Sequence, residues 1–393
     1  MTKYNYRTGL LCIVTTLYWF SLYTYAPTLS TYASSLGASY KMVGLIVGSY
    51  GLTQMLLRIP LGIVSDIINK RKIFIISGIA VSLVSSLGLW LFPSVGMVLA
   101  FRALSGVAAA TWVTFTVLFS SYYEGEDAPK AIGIINSYNS AGQLIAILAG
   151  SIAAHFYGQH ATFIVSSIGA VIGLSLSVGL AENRDINRKP MRPLDLLSVA
   201  RDIKLLIVSV LAIFSQFLSF ATVYGFTPIV AKNIGASSFE IGMLAMVSTF
   251  PRIIASYISG SFCAKRFGEK TTLVGGFIMT AAACVVIPYI GNLYFLYFSQ
   301  LIGGFGQGLV LPMLMGLSIK NIQAEKRATA MGFFQAIYSL GMFLGPSLTG
   351  VLNDVMGLVW GFWFTGAVGI IGAVVANISM NENKNFSLKV FRS

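Results

Sequence analysis

KMVGLIVGSYGLTQMLLRIPLGIVSDIINKRKIFIISGIAVSLVSSLGLWLF, residues 41–92, consists of two apolar runs, 41–63 and 73–92, on either side of a short turn with one acid and three bases. Each run matches the roughly 20 residues that a helix needs to cross the hydrocarbon core of a bilayer. Helices satisfy their backbone N–H and C=O groups internally, so Gly and Pro inside the runs do not count against this reading. Outward from this pair the alternation continues to both ends of the chain, with further runs at 9–29, 96–120, 131–155, 161–181, 205–230, 239–263, 272–290, 293–318, 329–353 and 358–379. The chain is 56% hydrophobic and 10% charged, with a mean hydropathy of +0.78; a soluble domain carries roughly 25% charged residues. An all-α polytopic membrane protein with 12 transmembrane helices is expected. The first run is too long for a signal-peptide core and has no small-residue cleavage site, so it is read as a span.

Charge predicts the orientation. With both termini cytoplasmic, the inner segments hold 21 of the 26 Lys and Arg residues and the outer loops hold Lys41 and Lys232. Such asymmetry follows the positive-inside rule. It also accounts for the net charge of +13 without nucleic acid, since the bases lie in short loops against anionic lipid with no aromatic platform beside them. Cys12, Cys263 and Cys284 lie in or at apolar runs and outline neither a disulfide nor a metal framework. No nucleophile–base pair, Walker motif or dinucleotide fingerprint is present, so no enzyme and no cofactor are expected.

The two halves repeat with an offset of about 198 residues. LGAS at 36–39 recurs as IGAS at 234–237, Gly44 matches Gly242, Gly62 matches Gly260, and FRALSG at 101–106 matches SQLIGG at 299–304. One residue of slippage later, Gly133, Gly142 and Gly158 match Gly332, Gly341 and Gly357. The expected organisation is a six-helix bundle over 1–181, a cytoplasmic linker over 182–204, a second six-helix bundle over 205–381 and a tail over 382–393. Parallel repeats of this kind place a ligand site between the halves near the midplane. On these features the chain resembles the major facilitator superfamily over its whole length, and within it the twelve-helix bacterial drug and metabolite efflux carriers.

That resemblance gives three motifs their expected roles. GIVSDIINKRK at 62–72 is similar to the family's G-x-x-x-D pattern followed by a basic pair. It implies that Gly62 permits close helix packing, that Asp66 faces the positive start of the eleventh helix as a cytoplasmic latch, and that Lys70, Arg71 and Lys72 anchor to lipid phosphates. Ile67 and Asn69 stand where the family carries a base and a glycine, which would weaken the latch, and the second copy has Ala264 in place of the acid. FRALSGVAAA at 101–110 resembles the R-x-x-x-G stretch of the fourth helix. There, Arg102 with Gly106 reads either as a gate or proton-coupling element, or as a structural arginine bonded to carbonyls of the first helix. GMFLGPSLTG at 341–350 resembles a glycine-proline antiporter motif that the family's exporters carry in span five, where this chain has Ala146 and Ile147. Gly345 and Pro346 are read as a kink or close-packing site.

All 13 acidic residues fall in loops or at helix ends, whereas Arg58, Arg102 and Arg252 are embedded. Arg58 lies close enough to the inner end of its span to snorkel and is read as structural. Arg252 lies near mid-membrane, where an unpaired cation favours a carboxylate or phosphate ligand or is held by carbonyls and waters between helices. The expected cavity lining is otherwise neutral: Tyr23 and Trp112, Asn136, Asn139 and Gln143, then Gln216, Gln307, Gln335 and Tyr338. Tyr18, Trp19, Tyr25 and Tyr224 lie on the same helices. His155 and His160 fall near an outer loop and read as surface residues.

The expected function is secondary transport of a small organic solute, anionic or zwitterionic, out of the cell across the cytoplasmic membrane. The expected partners are that solute, membrane lipids and protons as the candidate coupling ion, with the protein acting as a monomer. The alternatives are an uptake carrier for an organic anion or nutrient, a lipid translocator, and a transporter-like sensor.

Overall fold

The computed structural model describes residues 3–123, 128–182, 199–323 and 326–380. Most of the expected linker and the whole 382–393 tail lie outside the described residues. Twelve helices cross the molecule, and no strand occurs among the described residues. They are α1 (Lys3–Tyr23), α2 (Tyr40–Ile68), α3 (Arg71–Leu91), α4 (Val95–Ala110, continued by Trp112–Ser120), α5 (Ala128–Tyr157) and α6 (His160–Ser177). The second half holds α7 (Ile203–Ala221, continued through a π turn at Thr222–Phe226 to Asn233), α8 (Ser238–Ile258, ending in a π turn at Ser259–Cys263), α9 (Ala264–Val286), α10 (Leu293–Lys320), α11 (Arg327–Met356) and α12 (Leu358–Ser379). Below, the base is the end where α1 begins and α12 finishes, and the top is the opposite end.

The first expected span, 9–29, is corrected at its end. Helix α1 stops at Tyr23, and a short helix, Leu29–Ser35, follows. Pro27 is the cause: its ring clashes with the carbonyl four residues back, which belongs to Tyr23, and it has no N–H to donate. Pro228 stands in the matching part of α7, and its i−4 residue, Tyr224, lies in the π turn. The leading helix of each half is therefore distorted at the same level, where it borders the space between the halves.

The packing repeats as the sequence does. In the first half α1 packs on α5 and α6, α2 on α4, and α3 on α4 and α6; in the second half α7 packs on α11 and α12, α8 on α10, and α9 on α10 and α12. The halves meet through α2 with α11 and through α5 with α8, two contacts that the repeat interchanges. Glycines set these crossings. A Cβ on Gly48 would lie 2.7 Å from the Phe343 carbonyl oxygen, one on Gly350 would lie 2.5 Å from that of Tyr40, and Gly44 lies directly against Pro346 and Gly350. Gly242 lies equally close to Ser151 across the α5–α8 crossing. Small residues let helices approach closely in lipid, where no hydrophobic force drives helices together.

All of these contacts are in the top half. Towards the base, Gly133, Gly260, Gly316 and Gly332 have nothing within 4 Å of a would-be Cβ. Gly62 belongs with them and is corrected here, because its one such neighbour is Val113 Cγ1 at 3.5 Å, an ordinary contact. The halves are thus shut at the top and spread at the base.

Candidate transport cavity

A cavity of about 250 Å³ lies between the halves. Aromatic pairs that join the halves close it above. Tyr23 of α1 meets Tyr224 of α7 edge-on at 5.9 Å, and Tyr50 of α2 stacks on Phe220 of α7 at 6.2 Å. One wall is aromatic, with Trp19 against Trp112 at 5.2 Å and against Tyr23 at 5.6 Å. Asn136, Asn139 and Gln143 line it from α5; the last two are one turn apart and joined by a 2.7 Å hydrogen bond. Gln216, Arg252 and Gln307 enter from α7, α8 and α10, and Gln335 and Tyr338 from α11. Tyr18 and Tyr25 belong elsewhere: the Tyr18 hydroxyl donates to the Ala108 carbonyl at 2.5 Å inside the first half, and Tyr25 packs under Arg102.

Arg58 is the lining residue whose role the sequence reading missed. It does not snorkel, being 2% exposed and held by both halves. Nη1 donates to Gln335 Oε1 at 3.2 Å and to the Tyr338 hydroxyl at 3.4 Å; Nη2 donates to Gln54 Oε1 and to the Ala109 carbonyl at 3.4 Å. Each of these acceptors is neutral. Arg252 is half-buried and has no hydrogen bond or ion pair with any described residue. No described carboxylate lines the cavity. The cavity thus presents two guanidiniums and, among the described residues, no counter-charge.

Its polar inventory is also incomplete. Trp19 Nε1, Arg58 Nε, Thr249 Oγ1 and Gln307 Oε1 all line the cavity, belong to residues at most 6% exposed, and have no partner in the protein. Buried polar groups without partners cost about 1–3 kcal/mol each. Tyr50, Gln54, Ser140, Ser219 and Ser256 also line the cavity and carried no sequence signal beyond lying on the right helices.

The gating candidates separate. Among the described residues, the partner shown for Asp66 is Arg71 and not the start of α11: its Oδ1 accepts from Arg71 Nη2 at 3.2 Å in a buried ion pair. Arg71 also donates to Asn69 Oδ1 at 3.2 Å. Lys72 Nζ donates to the Val178 carbonyl at 2.6 Å, and its N–H to Glu182. Lipid anchoring is therefore corrected for Arg71, whose charge is used within the first half, while Lys70 is exposed and Lys72 keeps its charge unpaired by any described acid. Asn69 does not weaken the turn: it ends α2 with φ +52°, a left-handed conformation that Asn tolerates better than other non-glycine residues. Arg102 does not reach carbonyls of the first helix. Its guanidinium lies 4.2 Å from the Tyr50 ring centre and 5.7 Å from that of Tyr25, with Ser105 as a hydrogen-bond partner at 3.4 Å. Gly106, one turn on, lies directly against the Tyr50 carbonyl and Thr53.

Comparison with known proteins agrees with this architecture. The sequence profile of the Major Facilitator Superfamily matches residues 11–225 and 205–384. An uncharacterised MFS-type transporter of Methanocaldococcus jannaschii is 25% identical over 377 residues, covering 91% of this chain and 94% of its own. The quinolone resistance protein NorA of Staphylococcus aureus is 26% identical over 180 residues, 46% of either chain. Among solved structures, a bacterial homologue of the human lysosomal transporter Spinster superposes with a TM-score of 0.79 at 17% identity, covering 96% of this chain and 97% of the other. The nucleoside transporter NupG superposes with a TM-score of 0.78 at 14% identity, covering 95% of this chain and the whole of the other.

Proposed function

This chain belongs to the major facilitator superfamily, and on that premise we propose that it exports a small organic anion or zwitterion across the cytoplasmic membrane by alternating access. The observation that carries the substrate class is the pairing of Arg58 and Arg252 in a cavity without a described carboxylate. A buried cation surrounded only by neutral groups is costly in a membrane, by about 3 kcal/mol or more at mid-depth. A carboxylate or phosphate on the solute offsets that cost through charge-assisted hydrogen bonds. The aromatic wall and the volume of about 250 Å³ suit a compact solute with a flat apolar part.

The 21-to-2 distribution of bases supports a cytoplasmic base, which makes this arrangement inward-facing and ready to load from the cell interior. The relationship of half the chain to a quinolone resistance protein supports outward movement. With no carboxylate among the described lining residues, the charge balance of transport rests on the solute and the arginines, and any coupling proton would travel with the solute.

The test is metabolite profiling of cells and medium, comparing cells that overproduce the protein, its Arg252→Gln variant, or neither. An anionic solute enriched in the medium by the protein and not by the variant is the expected result. Enrichment of a cationic solute would overturn the substrate class, and accumulation inside the cell would overturn the direction.

A further inference from the structure

The top of the molecule is held by a contact between the halves that no motif announces. Asp354, in the last turn of α11, reaches across to the first turn of α2. Its Oδ1 accepts from the Tyr40 N–H at 2.7 Å and its Oδ2 from the Lys41 N–H at 2.9 Å. These are the first two N–H groups of a helix, which have no partner within it. The third, on Met42, is taken by the N-cap Ser39 at 3.4 Å. A carboxylate in this position gains two charge-assisted hydrogen bonds and the favourable field of the helix N-terminus.

The repeat shows that this contact is specific to one side. With the offset of the later part of each half, Asp354 corresponds to His155, and the start of α2 corresponds to the start of α8. Among the described residues His155 makes no hydrogen bond there; it has a ring contact with Phe239 at 5.9 Å and an electrostatic attraction for Glu240. The α8 start is capped from within its own half, where Ser237 and Glu240 form a reciprocal capping box. The ion pairs Asp66–Arg71 and Glu269–Lys320 each stay inside one half. Asp354 therefore supplies a charged bond between the halves at the top that its symmetry mate does not duplicate.

We propose that Asp354 is the latch of the top gate: its carboxylate caps α2 from the opposite half, and the cavity opens at the top only when that cap is released. Asp66 lies near the base end of α2 and Asp354 near the top end of α11, so one helix pair carries an acid at each end. In this arrangement the top cap is made, and Asp66 is retained by Arg71.

The test reads how often the top opens. Ser347 is buried on α11, with its hydroxyl 2.7 Å from where a Cβ on Gly48 would lie, about two turns below Asp354. Ser347→Cys, in a Cys263→Ser background, becomes reachable from the top face only when α2 and α11 part. Its labelling rate with a membrane-impermeant maleimide is measured in proteoliposomes. Cys introduced at the exposed Tyr157 identifies vesicles with the top outward. Asp354→Asn is expected to raise the rate about threefold to tenfold. Tyr40→Pro removes one donor at a first-turn position where proline is tolerated; it should raise the rate similarly, whereas Tyr40→Ala, which keeps the N–H, should raise it less. Combining Asp354→Asn with Tyr40→Pro should give less than the product of the two effects, because both break the same bond. An unchanged rate in Asp354→Asn, or full multiplication in the double variant, would overturn the latch.

Discussion

Arg58 shows why distance from a helix end does not decide a side chain's fate. A guanidinium one and a half turns inside a span can reach water if its path is free. Here α11 covers that face of α2 and offers Gln335 and Tyr338, so the charge stays in the cavity between the halves. The sequence contains the arginine and its depth; what it does not contain is which helix lies opposite. For the asparagines and glutamines the reading was easier, because a polar residue in an apolar run has few places to go. Arg58→Gln should keep the protein folded and lower the initial rate of anion transport at least about tenfold, in line with losing a charge-assisted bond. Arg58→Lys, which keeps the charge and loses the planar fork, should fall between. Rates in inverted vesicles loaded from the base side check this, and a wild-type rate in Arg58→Gln would remove Arg58 from the solute's path.

At the scale of the element, the turn from α2 to α3 combines a left-handed residue with a buried ion pair. Its glycine, acid and bases were legible as a motif, but their partners were not, because partners depend on which conformational state is present. Asn69→Gly should leave stability within about 0.5 kcal/mol or raise it, since the backbone already has φ +52°. Asn69→Ala should cost about 1–2 kcal/mol. Asp66→Asn leaves the Arg71 guanidinium, 3% exposed, without its anion, a loss of about 3 kcal/mol for a buried pair. Adding Arg71→Gln should recover part of that loss, because the stranded charge is then gone. Thermal unfolding of the purified protein in detergent ranks the four variants, and equal midpoints for Asp66→Asn and wild type would show that the pair contributes nothing in this state.

Over the whole molecule, twelve spans and an offset of about 198 residues were enough to foresee two related bundles with a cavity between them. The direction of opening was not foreseeable, since the same glycines serve both states. It is set by which crossings are closed, and in this structure those are the top ones: Gly44 with Pro346 and Gly350 on one side of the cavity, Gly242 with Ser151 on the other. Overpacking such a crossing costs about 1–3 kcal/mol. That cost falls only on the top-closed state, because the helices part there when the top opens. Gly44→Leu and Gly242→Leu should therefore act as wedges, moving the equilibrium towards the top-open state by about five- to a hundredfold. Gly133→Leu and Gly332→Leu, at positions with free space around them here, should not favour top opening. Spin labels at Phe92 on α3's top end and Tyr289 on α9's top end, both exposed, report the separation of the halves by pulsed electron resonance. A longer top distance in both wedge variants and not in the base-side pair is expected. If neither wedge lengthens it, the halves do not rock about the α2–α11 and α5–α8 crossings.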